Sequence, residues 1–189
     1  MALIAELESI RQQTDEISER AAKLSAGLSE QQLAWRPGPS SWSIAENLLH
    51  LERTTHIFLP IIDRTLDDAR RNGCLSNGPF HLGMMGKFYV WYVEPPPRIR
   101  LSAPKPLVPL LDGPTSDALP RFLNSQELMK QRLENANGID IVSARITSPF
   151  ASFVKMNLFT LFSVGTGHGR RHIWQASNVR AQLPSRPSP

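Results

Sequence analysis

The sequence predicts an all-α protein: a four-helix bundle with a long proline-rich crossover between its second and third helices. Three observations predict it. Four segments carry apolar residues at alternating steps of four and three, the period of a helix with one buried stripe. Capping residues stand at the starts and ends of these segments. Eight of the 16 prolines crowd between Pro95 and Pro120, where no long helix or central strand can form.

The first helix is read from Leu3, Leu7, Ile10, Thr14, Ile17, Ala21, Leu24 and Leu28, with Thr14 the one polar member of the stripe. Ser29 and Gln32 then have capping-box spacing and start a single turn. Pro37, Gly38 and Pro39 break the chain, and Ser43 with Glu46 forms a second capping box ahead of an apolar run. The second helix shows Ile44, Leu48, Leu51, Thr55, Phe58 and Ile62 on one face. Pro60 should kink it or cost one hydrogen bond, and Asn72-Gly73 should end it.

Residues 73–115 read as a connection over the surface, with "FHLGMMGKFYVWYV" as a short helix or aromatic lid. Such a connection lets the helices on either side of it run parallel. The third helix runs from Asp117 to Asn137 on Leu119, Phe122, Gln126, Met129, Leu133 and Ala136. Ser148-Pro149 should open the fourth, with Val154, Leu158, Leu161, Gly165, His168, His172, Gln175 and Val179 as its stripe. Residues 1–183 are read as one domain and 184–189 as a disordered tail.

Lys and Arg number 21 against 17 Asp and Glu, a net charge of +4. The pairs Arg70-Arg71 and Arg170-Arg171 are short and sit in no nucleic-acid-binding motif, so no nucleic-acid partner is expected. The single cysteine, Cys74, excludes an internal disulfide and a cysteine-based zinc site, and suits a reducing cytoplasm. The N-terminus lacks the pattern of a signal peptide, and the uncharged run from Met156 to Gly167 is too short to span a bilayer. A soluble, cytoplasmic protein is expected.

His168 and His172 occupy consecutive positions of the fourth helix's buried stripe. A spacing of four puts both rings on one face, one turn apart, which is the bite of a two-histidine metal site. Buried imidazoles without partners are costly, and either a metal or hydrogen bonds to backbone or to Gln175 would satisfy them. Gly165, one turn earlier, leaves space on that face. An open metal site needs a third ligand, and His50, on the flank of the second helix's apolar arc, is the candidate. His56 points elsewhere. His81, in the glycine-rich loop, is a weaker candidate.

"LSEQQLAWRPGPSSWSIAENLLHL" followed far downstream by "HGRRHIWQA" resembles the DinB/YfiT-like superfamily of damage-inducible, metal-dependent proteins. The resemblance covers the chain apart from its tail and most of the proline-rich crossing. It implies a four-helix bundle with a divalent metal on His50, His168 and His172, a coordination position open to substrate, and a stress-response setting. Some relatives transfer low-molecular-weight thiols, so the resemblance favours thiol transfer to a small-molecule substrate over hydrolysis.

Three neutral histidines leave the metal's full charge on whatever else it binds, so either water or a thiol would lose its proton near neutral pH. Zinc or nickel suits such a site best, and manganese or iron also fits. Glu46, one turn before His50, would accept a ring N–H or act as a general base, against its capping role. Arg170 and Arg171 flank the ligands, and Arg171 is the candidate for a substrate carboxylate. Trp42 should anchor the bundle beside the cap, and Phe88, Trp91 and Tyr92 should lie in the core or roof the site. A fourth ligand from His81 or Glu46 would instead close the site. It would then suit a non-catalytic metal-binding module that pairs with a second copy of itself, and a homodimer is the expected assembly in either case.

Overall fold

The computed structural model describes residues 2–98 and 103–184. Helix α1 spans Ala5–Ser25 and buries Leu7, Ile10, Thr14, Ile17, Ala21 and Leu24, the stripe the spacing predicts. Thr14 is tolerated there because its hydroxyl donates to the Ile10 carbonyl one turn back, at 2.9 Å. Helix α2 is the single turn Glu30–Ala34, and α3 spans Ile44–Arg71. Both capping boxes form. Ser29 and Gln32 bond reciprocally at the start of α2, and Ser43 and Glu46 do so at the start of α3. Pro60 lies inside α3 on an exposed position, and the helix continues through it. Gly73, at φ 66°, takes the left-handed turn beyond its end.

The aromatic stretch forms helix α4, Met84–Val93. A glycine on each side lets it lie close on the last helix. A Cβ at Gly86 would stand 2.8 Å from Thr160 Oγ1, and one at Gly167 would stand 2.9 Å from Val93 Cγ2. The proline-rich segment that follows holds two short 3-10 turns, Lys105–Leu107 and Thr115–Asp117. Residues 99–102 of the crossing, and the tail from 185 onward, expected to be disordered, lie outside the described residues. Helix α5, Ala118–Asn135, buries Phe122, Ser125 and Leu133.

The fourth long helix begins later than the sequence predicts. Residues around Ser148-Pro149 form an antiparallel hairpin of β1, Arg145–Ser148, and β2, Ala151–Asn157. Pro149 lies in the turn between the strands and opens no helix. Ile146, Thr147 and Val154 are β-branched and suit a pleated ribbon, so Val154 belongs to β2 and not to a helical stripe. Helix α6 spans Leu158–Arg180, and Asn157 caps it by accepting from the Thr160 N–H at 2.8 Å. The protein is therefore mostly helical, with a small two-stranded sheet beside the helices.

Pairings across the four long helices fix their directions. Glu52 meets Arg121 and Asp63 meets Arg132, so α3 and α5 run the same way. Gln13 meets Arg170 and the Leu24 carbonyl meets Arg180, so α1 and α6 also run the same way. Ile4 N–H donates to Asn137 and Asp15 pairs with Lys130, while Asn47 meets His172 and His50 meets His168, so α1 opposes α5 and α3 opposes α6. The connection between α3 and α5 accordingly returns along the length of the molecule.

The core is divided along that length. One apolar cluster gathers Leu7, Ile10, Ile62, Leu66, Leu133 and Leu158 with their neighbours, and a second gathers Ile17, Ala21, Leu48, Phe122, Ile173 and Ala176. Between them each long helix places polar residues: Thr14 on α1, Thr55 on α3, Ser125 and Gln126 on α5, and Thr166 on α6. The histidines adjoin this polar layer.

Candidate metal centre

Three imidazoles converge where α3 passes α6. His50 Nε2 lies 3.2 Å from His168 Nε2, and His172 Nε2 lies 3.1 Å from the same atom. One ligand atom from each ring falls within 4.8 Å of the others, and this group of three is the only such cluster among the described residues. His50 and His172 are buried. His168, expected to be equally buried, is half-buried.

The far nitrogens of two rings are engaged. His50 Nδ1 lies 2.7 Å from the Leu107 carbonyl, and His172 Nδ1 lies 2.9 Å from Asn47 Oδ1. Asn47 Nδ2 donates to the Ser43 carbonyl at 2.8 Å, which turns its oxygen toward the ring. A carbonyl oxygen only accepts, so each Nδ1 carries the proton and each Nε2 is a bare lone pair in the neutral ring. A proton on His168 Nε2 could serve only one of them well. At least one buried lone pair then faces another nitrogen without a donor, an arrangement that costs free energy.

A metal resolves this conflict. Zinc–nitrogen bonds of about 2.0–2.1 Å at tetrahedral angles put two ligand nitrogens about 3.4 Å apart. The observed 3.1 and 3.2 Å are close to that spacing. Oxygen acceptors on the far nitrogens are the usual means by which proteins fix the tautomer of a ligand ring. The cluster fits a divalent metal site.

Electrostatics favour neutral rings, the form that ligates. Burial pushes His168 down to about 3, helped by His50 and the Arg171 guanidinium. His172 is pushed well below its ordinary range by burial, then by His168, His50 and Arg171. His50 is lowered by burial against the opposing effect of its bond to Leu107.

A family model described as the DinB superfamily matches residues 13–176, which include all three histidines. The chain belongs to the DinB superfamily. No curated protein matches it.

In this DinB-superfamily chain the remaining candidates are placed as follows. Glu46 is buried and committed: its carboxylate accepts from the Ser43 N–H at 2.8 Å and from Arg36 Nε at 2.7 Å, with a second short contact to the same guanidinium. The acceptor role expected of it at a ligand ring is filled by Leu107 and Asn47. Arg171 reaches toward the Tyr92 carbonyl at 3.5 Å and acts on His168 and His172 through its charge. Arg170 is held by Glu94 and Gln13. His56 pairs with Glu52 at 3.6 Å, and His81 is exposed; neither joins the cluster.

Trp42 packs on the site itself, its ring centroid 4.8 Å from His50 and 5.7 Å from His172. Phe88 and Trp91 are about half exposed, at 50% and 51%, so they are not core residues. Gly165 is exposed, and a Cβ there would meet nothing within 4 Å, so the space expected beside His168 is present. Sequence reasoning missed Asn47 and Leu107. Asn47 is a polar residue inside an otherwise apolar arc, a signal that was readable. The Leu107 contribution is a backbone carbonyl and carries no side-chain signal.

Proposed function

We propose that this DinB-superfamily protein is a divalent-metal-dependent enzyme that transfers a low-molecular-weight thiol to a small substrate. The observation that carries the reading is the convergence of three Nε2 atoms, with the other nitrogen of His50 and of His172 engaged by a protein oxygen. A set of three histidines with no fourth protein ligand among the described residues suits an open site rather than a closed structural one. When bound, the metal, zinc or nickel by this reading, supplies Lewis acidity that favours the thiolate form of a thiol at neutral pH.

The chain's own residues do the rest. Leu107 and Asn47 hold the ring protons and aim the lone pairs. Trp42 covers two of the rings and keeps water from their faces. Burial, aided at His168 and His172 by the charge of Arg171, keeps the rings neutral, and Arg171 pairs with a carboxylate on the substrate. Glu46, tied to Arg36 and the N-terminus of α3, fixes the helix that carries His50. In this reading residues 1–183 act as one four-helix-bundle unit with 73–115 as its crossover, working as a cytoplasmic homodimer. No helix among the described residues is long and apolar enough to cross a membrane.

The test is metal content by mass spectrometry on untagged protein, for wild type, His50→Ala and His168→Ala, followed by assays of thiol loss against a panel of small electrophiles. About one metal per chain, lost in both variants with the helical signal intact, and metal-dependent thiol consumption are expected. Metal binding with hydrolysis of esters or amides and no thiol consumption would assign the alternative, a metal-dependent hydrolase. No metal after exposure to zinc and nickel would overturn the metalloenzyme reading.

A further inference from the structure

The polar layer between the two apolar clusters encloses a cavity of about 70 Å³, walled by all four long helices. His168 is part of its wall, as are Thr14, Thr55, Gln126 and Thr166, with Phe122 and Leu161 behind them. The cavity and the histidine cluster therefore share one ring. Gly165, exposed and without a side chain, stands at its rim one turn from His168.

The walls decide what could enter. No Lys, Arg, Asp or Glu lines the space. Thr14 donates its hydroxyl proton to the Ile10 carbonyl at 2.9 Å, Thr166 to Ser163 at 3.0 Å, and the bordering Thr54 to His50 at 2.7 Å. Those protons are spent within their own helices, so an anion would find few donors, and Ile10, Ile17, Phe122 and Leu161 make much of the wall apolar. An apolar cavity of about 150 Å³ is enough for benzene. By that ratio the space here takes about three carbons.

We propose that this cavity is the substrate-side pocket of the metal centre and receives a short, uncharged aliphatic group of about three carbons. The layer of threonines is then a selective feature of the bundle. Leucine at Thr14 would continue the α1 stripe and fill the space. The inference rests on the metal-site reading for its function but not for its geometry.

Two measurements separate these. Xenon under pressure, applied to crystals of the metal-free full chain, should give one strong site between Thr14, Phe122 and Leu161. It should be lost in Thr14→Leu and kept in the isosteric Thr14→Val. In cobalt-loaded protein, ethanethiol, 1-propanethiol, 1-butanethiol and 1-hexanethiol are titrated by the thiolate-to-cobalt absorption band. Affinity should rise about fourfold per methylene up to three or four carbons and then level or fall. Absence of xenon from the wild-type cavity, or equal affinity across the series, would overturn the pocket. Absence of any band even with ethanethiol would instead overturn the metal-site reading on which the pocket's function depends.

Discussion

Asn47 and His172 join the two helices of the metal centre: the imidazole Nδ1–H of α6 donates to the amide oxygen of α3 at 2.9 Å. The amide is itself turned by the Ser43 carbonyl at the first residue before α3. The capping of one helix is thereby connected to the orientation of a ring on another. Local structure at residues 43–47 determines which nitrogen of His172 is available to a ligand.

Asn47→Ala should accordingly weaken metal binding without removing a ligand. Losing such a ring-orienting partner typically costs about 10–100-fold in metal affinity. Asn47→Asp keeps an acceptor and should retain most of the affinity. Competition with a chromophoric chelator measures both. Equal affinity in Asn47→Ala and wild type would show that the ring is positioned by packing alone.

Glu46 offers a contrasting test, because its bonds are structural. Removing it takes away the capping-box bond to Ser43 and the partner of Arg36. Glu46→Ala should lower unfolding stability by about 1–3 kcal/mol while the protein still binds about one metal per chain. Arg36 is 45% exposed at its side chain, so water would solvate the freed guanidinium and limit the loss. Urea unfolding and metal content on the same samples check it. A large loss of thiol-transfer activity with unchanged stability would return Glu46 to a catalytic role.

These residues also show where the sequence was legible. The stripe of α1, both capping boxes and the histidine pair on α6 are local patterns, set by helix period and by side chains that bond within four residues. They could be read directly. The hairpin at 145–157 was hidden because Ser-Pro opens helices and turns alike, and only pairing with a second strand tells them apart. His50 was reachable as a candidate, but its approach to His168 depends on α3 opposing α6. The Leu107 carbonyl and the cavity under Thr14 arise from tertiary packing and have no signature along the chain.

The neutral histidines make the metal-free protein sensitive to mild acid. In the folded chain His168 is pushed down to about 3, and His50 and His172 are also lowered. In the unfolded chain they titrate near 6.5. Between those values the unfolded state holds more protons, so stability falls as pH falls from about 6.5. Each histidine adds a slope of up to about 1.4 kcal/mol per pH unit. Urea midpoints between pH 7 and 5.5, above the ordinary carboxylate range, should drop in the metal-free wild type. The drop should be smaller in His168→Ala. A flat profile over that interval would mean that the rings take up protons in the folded protein as readily as in the unfolded chain.

Gly167 tests the seating of α4 on α6. A Cβ there would stand 2.9 Å from Val93 Cγ2 and 3.2 Å from Glu94 Oε1. The first contact is too close to persist, the second requires Glu94 to give by a few tenths of an ångström, and Glu94 also holds Arg170. In Gly167→Ala the end of α4 should therefore move away from α6 and loosen the Glu94–Arg170 pair. The cost should be about 1–3 kcal/mol, the usual range for overpacking. His168 and His172 face His50 of α3, and the three should keep their metal. Limited proteolysis should cut residues 84–98 faster than in wild type, at unchanged metal stoichiometry. Wild-type cleavage rates would show that Val93 and Glu94 reorient in place without moving α4. Loss of metal along with faster cleavage would show that α4 and the metal centre form one cooperative unit, coupled through Arg170 and Arg171.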